Sequence, residues 1–86
     1  MHAVVVNVTI HDREAATTAL RDQVVAQVSG APGFVAGYWV DLGGNRGTSV
    51  VAFESEDAAR AAAQVQPPGD FVTLDSVEVG EVVANA

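Results

Sequence analysis

The chain has no cysteine, which excludes disulfides, thiolate metal sites, iron–sulfur clusters and cysteine nucleophiles. Lysine is absent too, and four Arg against eleven Asp and Glu leave a formal net charge of −7. A charge of that sign repels phosphate backbones and anionic lipid, so neither nucleic acid nor a membrane surface is an expected partner. No apolar stretch approaches the ~20 residues of a membrane helix. The N-terminal apolar run Ala3–Val6 stops at Asn7 and follows no basic segment, so it does not read as a secretion signal. A cytoplasmic location is the expectation. The only histidines are His2 and His11, and a strand between them separates them by about 30 Å, too far to share a metal within one chain. No grouping of Ser, His and acid stands out, so hydrolytic triad chemistry has no basis.

The 86 residues fit one small domain, 1–86. Such a chain buries only about 60–65% of its unfolded surface, and subunit pairing is a natural remedy for so marginal a core. Apolar residues make up 49%, too many for a disordered chain. Val and Ala dominate, seventeen and fifteen of them, which suggests strands and helices together.

Val4, Val6, Val8 and Ile10 alternate with Ala3, Val5, Asn7 and Thr9, predicting a strand over Ala3–Ile10. Its aliphatic face should meet helices, and Asn7 then points the opposite way. Asp12 is a plausible N-cap for a helix from about Arg13 to Ser29, with Ala16, Leu20, Val24 and Val28 as its apolar stripe. Gly30-Ala31-Pro32-Gly33 stops it. Phe34–Leu42 and Gly47–Phe53 read as two strands joined by a glycine-and-asparagine hairpin loop. Ser55 caps a second helix, Glu56–Gln66, whose inner stripe is expected at Ala58, Ala62 and Val65. After Pro67-Pro68-Gly69, a turn or short helix around Phe71–Leu74 is expected to lead into a last strand of about seven residues.

The order β-α-β-β-α-β defines an α+β, ferredoxin-like sandwich: a four-stranded antiparallel sheet with two helices on one face. The other face has no cover within the chain, and a second copy packed against it, a homodimer, is the simplest answer. The fold hosts many functions. Ferredoxins and metal-transfer domains need the missing cysteines. RNA-recognition versions need basic, aromatic strands, whereas Gly47–Phe53 has no basic residue and one aromatic. Acylphosphatases need a Gly-rich, Arg-bearing loop after the first strand, where this chain has His11-Asp12-Arg13-Glu14. Gly43–Gly47 lacks the Lys-Ser/Thr ending of a phosphate loop and reads as a turn.

Three residues stand out. Asn7 interrupts a valine run on the face away from the helices; its amide needs partners, supplied by a cleft with ligand, a neighbouring strand or a dimer mate. Tyr38 and Trp39 are adjacent and so point to opposite faces. Whichever lies on the open face can stack on a planar ligand or anchor an interface.

Val4-Val5-Val6-Asn7-Val8, the Ala31-Pro32-Gly33-Phe34 step, Thr48–Phe53 running into Glu54-Ser55-Glu56-Asp57-Ala58-Ala59, and Val77–Val83 together resemble the dimeric α+β barrel superfamily, especially its antibiotic-biosynthesis-monooxygenase-like branch. The resemblance covers most of the chain. It implies two subunits closing their sheets into a barrel, a pocket in each, and, in some members, cofactor-free oxygenation of aromatic substrates. Asn7 matches a strand-one Asn that is functional in several members, so the resemblance implies a catalytic role for Asn7 and a ligand site of Asn7 with Tyr38 or Trp39. The haem-degrading pattern departs: Val51-Ala52-Phe53-Glu54 lacks its Trp, and the second helix has no His. No cofactor is therefore expected. The alternative is a non-catalytic dimeric binding or accessory protein.

Overall fold

The computed structural model describes residues 1–64 and 69–86. Four strands, β1 (His2–Ile10), β2 (Phe34–Gly43), β3 (Arg46–Phe53) and β4 (Val72–Glu81), form one antiparallel sheet in the order β2-β3-β1-β4. This is the ferredoxin-like βαββαβ topology that the sequence predicts.

Val4 and Val6 of β1 oppose Val51 and Ser49 on one side and Val79 and Val77 on the other. That face carries the core, in which Val4, Val51, Phe53 and Ala59 are buried together. Phe53, 1% exposed, meets Phe34 edge to face at 6.3 Å between ring centroids.

The first helix starts at Arg13, where the Asp12 carboxylate accepts the amide of Ala15 at 3.1 Å. It passes from α (Arg13–Ala19) through a π segment (Leu20–Val24) back to α (Val25–Ser29). The apolar spacing explains the π turn. Ala16, Leu20, Val24 and Val28 repeat every four residues, and in a regular α-helix each such step drifts about 40° around the axis. A wider turn in the middle offsets that drift and keeps the stripe over the sheet. The chain then makes its Ala31–Phe34 step through Gly33 at φ +80°, where a Cβ would come within 2.9 Å of Ala58. Glycine serves there both the backbone and the close approach of the second helix.

The second helix is Glu56–Ala62, capped by Ser55 Oγ accepting from the Ala58 amide at 3.1 Å. It is shorter than the predicted Glu56–Gln66. Ala63 closes it, and Val65 and Gln66 lie outside the described residues. Ala59, rather than Ala58 or Ala62, is the fully buried member of its inner face.

The β2–β3 hairpin turns on Gly44 and Asn45, both at positive φ (61° and 63°), the two-residue geometry whose twist suits a hairpin. Of the turn or short helix expected around Phe71–Leu74, the turn ends at Phe71: β4 begins at Val72 and is ten residues long. Its pairing with β1 shifts between Asn7 and Val8, so that Asp75 is an extra residue between Leu74 and Ser76. The bulge makes Val72 and Leu74, then Val77 and Val79, face the same side.

Candidate functional site

A cavity of about 650 Å³ lies between the first helix and the sheet. Its floor is the helix-facing row of β1 and β3, and its roof is the stripe Ala16, Leu20, Val24 and Val28. The space follows from side-chain size along β3. Phe53 and Val51 fill the end of the sheet where the second helix lies; toward the hairpin Ser49 is small, while Val8 and Ile10 close over Gly47.

Trp39 lines this space, with Phe53 and Phe71. It pairs with Ser49 across β2 and β3, and its ring lies over Gly37 on the same face. A Cβ at Gly37 would sit 2.9 Å from Cη2 and 3.0 Å from Cζ3, so the absent side chain is what lets the indole lie along the strand. Tyr38 faces the other way and is 69% exposed. The alternation thus resolves which of the two neighbours reaches the cavity.

Asn7 is on the opposite side of the sheet from Trp39. Its Nδ2 donates to Ser76 Oγ at 3.0 Å, the neighbouring-strand partner that the sequence left as one alternative. It heads a row of cross-strand contacts: Thr9 Oγ1 donates to Asp75 Oδ2 at 2.7 Å, and His11 Nε2 lies 2.6 Å from Thr73 Oγ1. The open face is therefore divided. Its β1–β4 half is a hydrogen-bonded polar strip, and its β2–β3 half is apolar, with Tyr38, Val40 and Val50 exposed. The structure brings Asn7 and Tyr38 to one face and Trp39 to the other, so no single site holds all three.

The cavity has one charged pair at its rim, Arg13 with Asp41, which ties the first turn of the helix to the end of β2. Asp41 also accepts the amide of Gly43 through Oδ1 at 2.9 Å. The uncharged polar side chains of the lining include Thr17, Gln23 and Gln27 on the first helix and Ser49, 8% exposed, on β3. Sequence reasoning passed over Ser49. The signal was present: in the helix-facing row Gly47, Ser49, Val51, Phe53 it is the one polar side chain.

Among the described residues, no three His, Asp or Glu converge as a metal-binding group, and no helix is long and apolar enough to cross a membrane. One carboxyl is displaced from its ordinary range. Glu56 Oε2 accepts from Arg60 Nε at 3.0 Å and Nη2 at 2.6 Å, and this contact, with the guanidinium charge, holds the Glu56 carboxyl below the usual value. The pair is exposed on the second helix, away from the cavity lining.

Comparison with family models, with curated proteins and with solved structures finds no match to this chain.

Proposed function

We propose that this protein binds a small apolar or aromatic molecule in the cavity beneath its first helix. The observation that carries the reading is the cavity: about 650 Å³, walled mainly by aliphatic side chains with Trp39, Phe53 and Phe71, in a chain of 86 residues. The space opens to solvent along part of its length, so its apolar walls are wetted when it is empty. Burying a ligand's apolar surface against them gains about 25 cal/mol per Å². Trp39 supplies a flat wall suited to a planar guest.

Pairing through the open face completes the proposal. The exposed Tyr38, Val40 and Val50 form an apolar patch on the β2–β3 half, and a second copy would cover it. Val50→Arg is then expected to shift a dimer to monomer in sedimentation.

A cofactor-free monooxygenase is the catalytic form of this reading, carried by the resemblance to the antibiotic-biosynthesis-monooxygenase-like branch. With the rim charges paired, the chain's part would be enclosure and orientation of a substrate that itself reacts with oxygen. Asn7 lies on the other face of the sheet, with Nδ2 donating to Ser76 Oγ, so a role for it belongs to the open face where a second copy would pack and not to this cavity.

Native mass spectrometry of freshly purified protein tests both parts. A dimer carrying extra mass is expected, and the adduct can then be assayed for oxygen consumption. A bare monomer at micromolar concentration would overturn the pairing and leave the cavity without an occupant.

A further inference from the structure

We infer that the cavity seats a short peptide in extended conformation, with apolar side chains on the sheet and backbone amides along the first helix. The inference rests on the cavity being a ligand site. It extends the guest from one apolar or aromatic group to a chain that carries several.

The shape of the space selects a chain. Val4, Val6, Val8 and Ile10 all line it, and the strand between the first and last of them spans about 20 Å. On the helix the lining runs from Arg13 to Val28, again about 20 Å by helix rise. A volume of about 650 Å³ spread over that length is a narrow groove. A single ring would leave much of it unfilled, whereas about six extended residues span it at ~3.3 Å each.

The polar lining selects a peptide among chains. The floor is aliphatic, but Gln23 and Gln27 border the groove on the helix side, and both are exposed, so they stand at its mouth. They are one turn apart, about 6 Å along the axis. In an extended peptide the groups facing one way recur at every second residue, about 6.7 Å. The two repeats nearly coincide. A glutamine amide both donates and accepts, which complements a backbone N–H and C=O; a hydrocarbon chain offers it neither. The same two-residue period brings alternate side chains down onto the floor beside Trp39.

Charge points the same way. Arg13 is paired with Asp41 at the rim, so among the described lining residues no cation is left for an anionic headgroup. The chain carries −7, a field that repels a fatty acid and attracts a peptide with basic ends.

The test is an NMR titration of the full chain with three probes. They are p-cresol, dodecanoate, and a capped peptide in which valine and tyrosine alternate with threonine between two terminal lysines. Trp39 is the only tryptophan, so its indole N–H reports on the groove, and the side-chain amides of Gln23 and Gln27 report on its mouth. The peptide is expected to move all three and to displace p-cresol. Replacing both glutamines, Gln23→Met with Gln27→Met, keeps the length of each side chain at exposed positions. It should weaken the peptide about tenfold, the worth of one to two neutral hydrogen bonds, and leave p-cresol affinity unchanged. Wild-type peptide affinity in the folded double variant would overturn the inference. Tighter binding of dodecanoate than of the peptide would overturn the peptide class in favour of an acyl chain. A response to p-cresol without one to the peptide would overturn the inference and leave the cavity site standing. No response of the indole to any probe would overturn the cavity site itself.

Discussion

Gly37→Ala separates the cavity from a well-packed core, because two opposing effects nearly cancel only if the empty space exists. The added Cβ would lie 2.9–3.0 Å from the Trp39 ring, against 3.4–4 Å for ordinary contact. The indole must move by several tenths of an ångström. In a full interior such overpacking costs about 1–3 kcal/mol. Trp39 lines a cavity, so the ring has somewhere to go and the cost falls at the lower end. Gly37 lies within β2 with no positive φ, where Ala is better than Gly by about 0.5–1 kcal/mol. Stability should therefore stay within about 1 kcal/mol of wild type, a midpoint change of no more than about 8 °C for a domain of this size. The displaced ring enters the ligand's space, and affinity for p-cresol should fall by about tenfold, or ~1.4 kcal/mol. Urea unfolding measures the first quantity, and an NMR titration with p-cresol followed at the indole N–H of Trp39, the single tryptophan, measures the second. A stability loss above about 3 kcal/mol would mean that the ring has no room, and unchanged affinity would mean that it does not border the ligand.

Phe53→Ala should cost about 3–5 kcal/mol in urea unfolding, a large part of the roughly 4–13 kcal/mol that a chain of this length commands, because Phe53 is the largest fully buried side chain. Ser55→Ala should cost about 1 kcal/mol by the same assay, through loss of the cap on the Ala58 amide. Arg60→Ala should raise the Glu56 carboxyl back toward its ordinary range, read by NMR titration. The wild-type pair favours the folded state above the ordinary carboxylate range and loses that advantage as pH falls through the lowered value, so any stability difference belongs at neutral rather than acid pH. Exposure keeps that difference small.

The sheet and its connections were legible because each had an unambiguous local cause. Alternation set β1, paired positive-φ residues set the hairpin, and Asp12 and Ser55 set both helix starts. β4 was harder to read. The extra residue at Asp75 moves its helix-facing set from even to odd numbers, and Thr73, Asp75 and Ser76 interrupt its apolar character, so the first three positions looked like a turn. Ala59 was missed because an Ala-rich helix has little contrast between its faces. The π segment was implicit in a stripe of period four. At the site, the adjacency of Tyr38 and Trp39 established opposite faces without assigning them. The assignment comes from the register that sets Trp39 beside Ser49 and Tyr38 beside Val50. Cavity volume depends on how far the first helix stands above Ser49, a distance that local sequence does not encode.

The order of the strands has a consequence for behaviour at high concentration. β4, one border of the sheet, carries Asp75 on a bulge together with Glu78 and Glu81, and such features discourage a further strand from adding. β2, the other border, is ten residues long with Asp41 as its only charge. Any edge-to-edge association would therefore begin at β2, in the manner of a zipper with teeth along one side. Two such edges joined antiparallel about a two-fold axis would give an eight-stranded sheet bordered by β4 at both ends. Growth would stop there, so this polarity makes a capped pair, rather than an extended fibre, the natural endpoint of strand addition.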